Sequence, residues 1–509
     1  WYYWGGIGTE YYDYVITMIN VENILFNDES IEIDTSIAAE NIIWGYEWSE
    51  DLTGDDTDDL FDSAGGDDYL DGKAGNDKLA IFEDRDKFEF FTVAGITKMY
   101  TTTGDDIGYD YNYHVITSIN IESIVFRDQT VEVETNLAGD NIIFGLHGSY
   151  GSEDIIGTEG DDLIDSYGGN DWIDGNGGSD TLAIFSDQSN FEIITIGGLT
   201  KLYGNTYTGY AIGNDYTGYT IRMIEVETIA FNDQSLTIDT NFPTDEFTTV
   251  FLGYYYSENL VGDSGDDLFD SAGGSDWING NAGNDTLAIF SDYDNFEIMT
   301  VGGITKIYGS TEVSGLGSVY YTGNGYNMIR AVNVENIAFA DQTISVETTL
   351  LSGNYIFGKF WWEGSETIIG TDGDDIIDSN GGMDTVDGGE GEDTLLLFAN
   401  RDEFDIVVTA GGTIELTGKT STMGWSYYGD TIKLTNVETI IFADQTVSVS
   451  SLESSNASVS QELDDKYENN SDDSDNDSDS DNSDQSYITT EEQEETEEET
   501  EDSEDNSSD

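Results

Sequence analysis

The residues best suited to bind a metal ion are aspartates that recur nine residues apart in four parts of the chain. Two positions before these twelve aspartates there is a glycine in eleven cases, and Thr57 is the exception. Glycine lets the backbone turn sharply, so the turned loop presents carbonyl oxygens beside the carboxylate. Hard oxygen ligands in a flexible cage suit Ca²⁺, which takes about six to eight of them. The candidate ligands are Asp59, Asp68, Asp77, Asp162, Asp171, Asp180, Asp267, Asp276, Asp285, Asp375, Asp384 and Asp393, with Gly66, Gly75, Gly160, Gly169, Gly178, Gly265, Gly274, Gly283, Gly373, Gly382 and Gly391.

An apolar residue follows each aspartate by two positions, which predicts very short strands with that side chain pointing inward. Stacked half-turns would place every second loop on the same edge, so Asp59 and Asp77 would face one ion. Three loops then close one site and leave the middle loop half-completed. We expect at least one Ca²⁺ per block, and a second that depends on flanking acids such as Asp154 or Asp174. The missing glycine at Thr57 weakens the prediction for the first loop. The other facing pairs are Asp162 with Asp180, Asp267 with Asp285, and Asp375 with Asp393.

The aspartate blocks belong to a longer internal repeat of about 100 residues. The segment VENILFNDES from Val21 recurs from Ile121, Val226, Val334 and Val437. The first 34 residues match only the end of such a repeat, so we expect further copies before them. The predicted organisation is 1–34, the end of a truncated module; four modules at 35–138, 139–240, 241–348 and 349–450; and an acidic tail at 451–509.

Polar and apolar residues alternate at the module ends, as in Val131–Glu134, which is typical of strands with one buried face. Glycine pairs and Asn/Asp clusters punctuate the rest as turns. From Gln461 to Asp509 there are 23 acidic residues and one basic residue, a composition that cannot bury enough apolar surface to fold. We therefore predict an all-β protein whose C-terminal tail is disordered.

Charge and composition exclude several functions. The 509 residues include 106 Asp and Glu against 15 Lys and Arg, for a formal net charge of −91. This balance excludes direct nucleic-acid binding and argues against anionic membrane surfaces. No apolar run approaches the length of about 20 residues that spans a bilayer. Cysteine is absent, so disulfides cannot stabilise small modules, and another cross-link is needed if such modules are to be stable.

Sequence motifs give no support for catalysis. Neither HExxH nor GxSxG occurs, and the two histidines, His114 and His147, lie in different contexts. Paired carboxylates for glycoside hydrolysis remain open among so many acids. A module repeated four times nevertheless favours binding or scaffolding over a unique active site. We therefore predict that the chain is not an enzyme.

Two further residue sets have a structural interpretation. The glutamates of the recurring VExIxF segment are most simply a strand and turn signature rather than ion ligands. Aromatic runs such as Trp361–Trp362, Tyr254–Tyr256 and Trp1–Trp4 could stack on sugars, but filling of small cores is the favoured interpretation. The glutamates are Glu22, Glu122, Glu227, Glu335 and Glu438.

The segment GGNDWIDGNGGSDTLAIF from Gly168 resembles the RTX family, the hemolysin-type calcium-binding repeats with consensus GGxGxDxUx. FEIITIGGLTKLYG from Phe191 and IRMIEVETIAFNDQSLTI from Ile221 look like the strand block that accompanies such repeats. The resemblance covers nearly everything before residue 450. It implies that each module holds a short parallel β-roll, with Ca²⁺ between stacked loops, plus a strand-rich flanking block.

The same resemblance implies a secreted or cell-surface protein, exported by a type I exporter, whose modules fold when they bind Ca²⁺. We expect a structural or adhesive scaffold, with surface glycans or other matrix proteins as partners, and neither nucleic-acid binding nor membrane insertion. One alternative is the carrier region of a larger secreted enzyme or toxin. Another is an acidic matrix protein whose tail binds calcium mineral.

Overall fold

The structure is a computed structural model that describes residues 18, 21–26, 29–32, 39–46, 48–101, 114–146, 152–205, 218–240, 249–254, 256–309, 328–359, 364–409, 411–419, 427–452 and 454. The chain divides into two units, Trp1–Ser450 and Ser451–Asp509. Almost all of the acidic tail lies outside the described residues, and so do Trp1–Trp4, His147, Tyr255 and Trp361–Trp362. The predictions on these segments stay predictions.

Short strands make up about half of the described part of the first unit. An N-terminal hairpin consists of β1 (Asn23–Leu25) and β2 (Ser30–Glu32). The first module contains β3 (Asn41–Trp44), β4 (Asp51–Thr53), β5 (Asp59–Asp62), β6 (Tyr69–Asp71), β7 (Lys78–Ile81), β8 (Phe88–Val93), β9 (Ile96–Thr101), β10 (Val115–Ile119), β11 (Ser123–Phe126) and β12 (Thr130–Glu132). The second contains β13 (Asn141–Phe144), β14 (Asp154–Ile156), β15 (Asp162–Asp165), β16 (Trp172–Asp174), β17 (Thr181–Ile184), β18 (Phe191–Ile196), β19 (Leu199–Gly204), β20 (Thr220–Ile224), β21 (Thr228–Phe231) and β22 (Ser235–Thr237).

The last two modules repeat this order of strands. The third contains β23 (Thr249–Leu252), β24 (Asn259–Val261), β25 (Asp267–Asp270), β26 (Trp277–Asn279), β27 (Thr286–Ile289), β28 (Phe296–Val301), β29 (Ile304–Gly309), β30 (Met328–Val332), β31 (Asn336–Phe339) and β32 (Thr343–Ser345). The fourth contains β33 (Asn354–Phe357), β34 (Thr367–Ile369), β35 (Asp375–Asp378), β36 (Thr385–Asp387), β37 (Thr394–Leu397), β38 (Phe404–Val408), β39 (Ile414–Gly418), β40 (Thr431–Thr435), β41 (Thr439–Phe442) and β42 (Thr446–Ser448). Single turns of 3-10 helix lie at Arg85–Lys87, Gln188–Asn190, Tyr293–Asn295 and Arg401–Glu403.

Each module consists of two five-stranded sheets. In the first module the orders are β12-β11-β7-β5-β3 and β4-β6-β10-β9-β8. The strands of the aspartate block pair in parallel, β3 with β5 and β5 with β7 in one sheet and β4 with β6 in the other. The chain therefore winds from sheet to sheet every nine residues and returns after 18. The predicted fold class, an all-β chain of short parallel β-rolls with strand-rich flanking blocks, is confirmed.

The inward positions of the nine-residue repeat form the core of each roll. Phe61, Leu70 and Leu79 are each two positions after an aspartate and are no more than 1 % exposed. The strands of the flanking block close the same core, because Ile124 on β11 is also fully buried in it. None of the helical segments in the described part of the chain has the length and apolar character needed to cross a membrane.

Not every aromatic residue fills a core. Tyr254 and Tyr256 are 55 % and 54 % exposed, and their rings stack in parallel with centroids 5.3 Å apart. Core filling is therefore the wrong interpretation for these two tyrosines. They lie on the loop between β23 and β24.

Neighbouring modules share apolar cores, a point that the sequence left open. Val93 and Ile96 of the first module pack in one buried cluster with Leu163 and Phe185 of the second. Equivalent clusters join the second module to the third and the third to the fourth. Because these residues are fully desolvated, the modules form a continuous stack rather than separate beads.

A buried ion pair accompanies each of these shared cores. Lys201 of the second module is 4 % exposed, and its Nζ lies 2.7 Å from Oδ2 of Asp270 in the third. Lys201 also lies over the ring of Phe290, 4.2 Å from the centroid. Lys98–Asp165 at 2.6 Å and Lys306–Asp378 at 2.6 Å are the matching pairs at the other two interfaces.

Removing one partner of such a pair should lower the stability of the folded chain. Lys201→Met leaves the carboxylate of Asp270 buried without its cation, and we expect a loss of about 3–5 kcal/mol of stability. The double variant Lys201→Met/Asp270→Asn should recover most of that loss, because the Asn carbonyl still accepts the Ala272 N–H bond that Asp270 accepts now. Urea unfolding in excess Ca²⁺ measures both, and equal losses in the two variants would contradict the argument.

Candidate metal centre

The third aspartate of each block lies one 18-residue turn above the first. Asp77 uses Oδ1 to accept the backbone N–H of Asp59 at 2.7 Å. The same bond recurs in all four modules because the loops are stacked in register by the parallel strands. The matching bonds run from Asp162 to Asp180 at 2.7 Å, from Asp267 to Asp285 at 2.8 Å and from Asp375 to Asp393 at 2.9 Å.

The other oxygen of each third-loop carboxylate is buried and has no hydrogen-bond partner among the described residues. Asp77, Asp180, Asp285 and Asp393 are no more than 1 % exposed. A buried anionic oxygen is costly unless a cation or donors compensate it. Four such oxygens at equivalent positions therefore fit a bound cation better than four separate packing faults.

Backbone carbonyls converge on the same places. A Cβ added at Gly72 would collide with the Asn120 carbonyl oxygen and would lie 2.6 Å from Oδ2 of Asp77. The same two kinds of oxygen flank Gly175 and Gly388. In the described part of the chain no three side chains of His, Cys, Asp or Glu form a metal-binding group. A bound ion would therefore take carbonyl oxygens as well as carboxylates, a donor set that suits Ca²⁺.

The middle loops also have stacked partners. Asp171 lies on the opposite edge of the roll and accepts the backbone N–H of Glu153 through Oδ1 at 3.2 Å. Glu153 in turn accepts the Leu146 N–H at 2.9 Å. The middle loop is thus stacked on an acidic turn rather than left without one. The equivalent bonds join Glu50 to Asp68, Glu258 to Asp276 and Glu366 to Asp384.

The two flanking acids suggested by the sequence do not fill this position. Asp154 is exposed at the start of β14. Asp174 accepts the backbone N–H of Asn176 at 3.0 Å and so holds its own turn. The acid on the stacked turn is the preceding Glu153, because period-two alternation makes Ile155 the buried residue of that strand.

The glutamates of the VExIxF segment extend the stack by one further turn. Oε2 of Glu122 accepts the backbone N–H of Asp77 at 2.6 Å. The equivalent bonds place Glu227 on Asp180, Glu335 on Asp285 and Glu438 on Asp393, each at 2.8 Å. Sequence reasoning treated these glutamates as a strand and turn signature and missed this position. Their recurrence in every module was the signal that could have found them.

Glycine is required at the second and third loops but not at the first. Gly178 has φ of +131°, and a Cβ there would lie 2.6 Å from the carbonyl oxygen of Gly160, one turn below. A Cβ at Gly160 would make only ordinary van der Waals contacts, at 3.7 Å from Nδ2 of Asn141 and Oγ1 of Thr158. Thr57 occupies the position of Gly160 in the first module, so its side chain fits without disturbing the turn.

Burial raises the pKa of aspartate carboxyls on the two edges of each roll (the edge carboxyls). Desolvation lifts the pKa of Asp285 and Asp276 to about 7 and that of Asp180 to about 6. Backbone N–H bonds oppose this shift, while nearby carboxylates add to it, as Glu227 does for Asp180. Without a bound cation these groups therefore ionise near neutral pH rather than near the ordinary aspartate pKa of about 3.9.

The charge of the unpartnered oxygen can be tested with Asp180→Asn. The Asn carbonyl keeps the bond from the Asp162 N–H but carries no charge, so Ca²⁺ affinity in the second module should fall about tenfold or more, equal to about 1.4 kcal/mol. The folded fraction in chelator should stay the same or rise. Calorimetric titration with Ca²⁺ measures the first effect and far-UV circular dichroism in chelator the second. The matched control is Asp154→Asn, at an exposed acid of the same module, and equal affinities in both variants would exclude Asp180 as a ligand.

The raised pKa values predict how the metal-free protein depends on pH. A carboxyl with a pKa of about 6–7 in the folded chain and about 3.9 in the unfolded chain takes up a proton on folding. Stability in chelator is therefore greatest at low pH and falls as pH rises through the folded pKa. We expect the β-signal of the chain in chelator to be larger at about pH 5 than at about pH 8, and to change much less over this range in excess Ca²⁺. A β-signal that grows from about pH 5 to about pH 8 in chelator would show that the edge carboxyls do not control stability.

Comparison with known proteins identifies the repeat. The family model of the RTX calcium-binding nonapeptide repeat matches in four copies, at residues 44–79, 147–182, 252–287 and 363–395. Each match contains one complete set of three edge aspartates. No curated protein sequence matches the chain.

One solved structure that was matched to this chain is that of the extracellular lipase LipA from Serratia marcescens, with 13 % sequence identity and a TM-score of 0.13. The aligned part covers 76 % of this chain and 38 % of the lipase. The family model confirms the repeat expected from the motif: the chain carries the RTX calcium-binding nonapeptide repeat in four tandem copies, and Ca²⁺ is the ion that this repeat binds.

Proposed function

We propose that the protein is a secreted scaffold, without enzymatic activity, whose modules fold on Ca²⁺ outside the cell and then stack. The observation that carries this proposal is the set of buried carboxylate oxygens without partners on every roll. These oxygens make the folded chain dependent on a cation, and the shared cores between modules make the folded chain continuous.

The chain's own residues supply a switch between two states. Where Ca²⁺ is scarce, as inside a cell, the edge carboxylates repel one another, and a net charge of −91 opposes compaction. An unfolded chain suits export by a type I exporter. Bound Ca²⁺ supplies the positive charge that the edges lack, so binding energy becomes folding energy.

The interfaces between modules support a structural role. Each buries apolar residues together with a Lys–Asp pair, as Lys98 and Asp165 do. A chain of separately tethered modules would not need desolvated lysines between them. Four copies of one ion site also fit a role in which the sites hold an architecture rather than transform a substrate.

A calcium titration of the full chain tests the proposal. We expect a cooperative gain of β-signal in far-UV circular dichroism and a sharp fall in hydrodynamic radius with Ca²⁺, but not with Mg²⁺, which keeps its waters and demands tighter geometry. In excess Ca²⁺ the four modules should unfold in one transition because they share cores.

Two variants sharpen this test. Asp180→Asn/Asp285→Asn should raise the Ca²⁺ concentration at the midpoint, whereas the exposed pair Asp154→Asn/Asp187→Asn should not. A chain that is already compact and rich in β-structure in excess chelator at neutral pH would refute Ca²⁺-gated folding. Four separate transitions in excess Ca²⁺ would refute the continuous scaffold while leaving the ion sites intact.

A further inference from the structure

The three interfaces between modules are built from the same two faces. The leading face of a module carries an aspartate and a phenylalanine, such as Asp165 and Phe185 in the second module. The closing face of the module before it carries a lysine flanked by aliphatic residues, such as Lys98 and Ile96. Lys98 lies 2.6 Å from the aspartate and 4.4 Å from the centre of the phenylalanine ring.

The leading face of the first module has the same residues but is uncovered. Phe82 is 59 % exposed, whereas its counterparts Phe185, Phe290 and Phe398 are no more than 1 % exposed. Asp62 stands where Asp165 stands in the second module, and no lysine or arginine of the described chain forms an ion pair with it. Leu60, Ala80 and Val125 are half-buried on the same face, while their counterparts in the second module belong to a shared core.

The closing face of the fourth module has a different character. Strand register places Glu415 where the third module has Lys306, because Glu415 pairs with Lys433 as Lys306 pairs with Arg330. The half-buried Glu415 and the exposed Lys433 form an ion pair of 3.4 Å. Threonines replace the apolar residues of this face: Thr385 stands for Trp277, Thr413 for Ile304 and Thr435 for Val332. A polar outer face is typical of the terminal repeat of a stack.

We propose that the leading face of the first module, formed by Leu60, Asp62, Ala80, Phe82 and Val125, is a docking surface for the lysine-bearing closing face of a further module of this kind. The charge is complementary, since a lysine at this position would meet Asp62 as Lys98 meets Asp165. The exposed Phe82 ring would lie beneath the same ammonium group.

A second copy of the unmodified chain is not the occupant. Its closing face would bring Glu415 against Asp62, and like charges in a desolvated contact are strongly unfavourable. The threonines of that face offer no match for Phe82. The leading face of the first module should therefore bind a closing face that carries a lysine, and should not bind the closing face of the fourth module.

This preference can be tested by replacing residues on the closing face of the fourth module with their counterparts from the third. The full chain with Thr385→Trp, Thr413→Ile, Glu415→Lys and Thr435→Val presents a face that fits its own leading end. A head-to-tail contact joins the closing face of one copy to the leading face of the next, so the variant should form open chains of increasing length, or rings if the rotation between copies closes. Sedimentation velocity in excess Ca²⁺ should show the mean mass rising severalfold with concentration, while the unmodified chain stays at one mass.

Substitutions on the leading face are the control. Adding Asp62→Lys and Phe82→Ser to the four-residue variant should return it to the mass of a single chain. Glu415→Lys alone, at a half-buried residue, should give weaker association and keeps the test valid if the four-residue variant fails to fold. Circular dichroism in Ca²⁺ verifies folding in each case. A folded four-residue variant that stays monomeric, or association that survives Asp62→Lys/Phe82→Ser, would overturn the proposal.

Discussion

The buried carboxylate on an 18-residue pitch is the constraint on which the rest of the structure depends. One oxygen of each third-loop aspartate accepts the N–H of the turn below, and this bond sets the loops directly above one another. The other oxygen is buried beside backbone carbonyls and needs a cation. The close approach of stacked turns also explains why glycine, and no larger residue, stands at positions such as Gly178.

Two groups of buried carboxylates occur in the described part of this chain, and the negative charge of each group is balanced in a different way. The edge carboxylates have oxygen neighbours and backbone donors, so their charge depends on an added ion. The carboxylates at the module interfaces have a lysine instead, as Asp270 has Lys201. Three of the 15 basic residues, Lys98, Lys201 and Lys306, are buried at the interfaces and pair with these carboxylates.

Lysines at the interfaces also link the ion sites to the stack. Strand β19 carries Lys201 to the closing face, and the same sheet contains β16, which follows the edge residue Asp171 directly. When the loop that contains Asp171 becomes ordered, it therefore positions β16, and β19 of the same sheet carries the interface residue Lys201. Folding of one module on Ca²⁺ would prepare the surface on which the next module packs.

The sequence determined what depends on local periodicity. The nine-residue spacing predicted the short strands, the inward residues Phe61, Leu70 and Leu79, and the stacking of every second loop, because each depends on residues within two turns. Repetition predicted the modules, and the motif predicted the calcium-binding family. Oxygen ligands also followed from residue type, since carboxylates and glycine-rich loops favour Ca²⁺.

Only the tertiary structure decided which residues that are distant in sequence come into contact. Glu227 joins the stack from 47 residues beyond Asp180, after a long hairpin, and Lys201 meets Asp270 across 69 residues. Neither contact has a local period, so no spacing could reveal it. The tolerance of Thr57, the exposure of Tyr254 and the open leading face around Phe82 depend likewise on which surfaces other segments cover. Local pattern fixes the turn of the roll, whereas the paths of the connections between strands decide which charges meet.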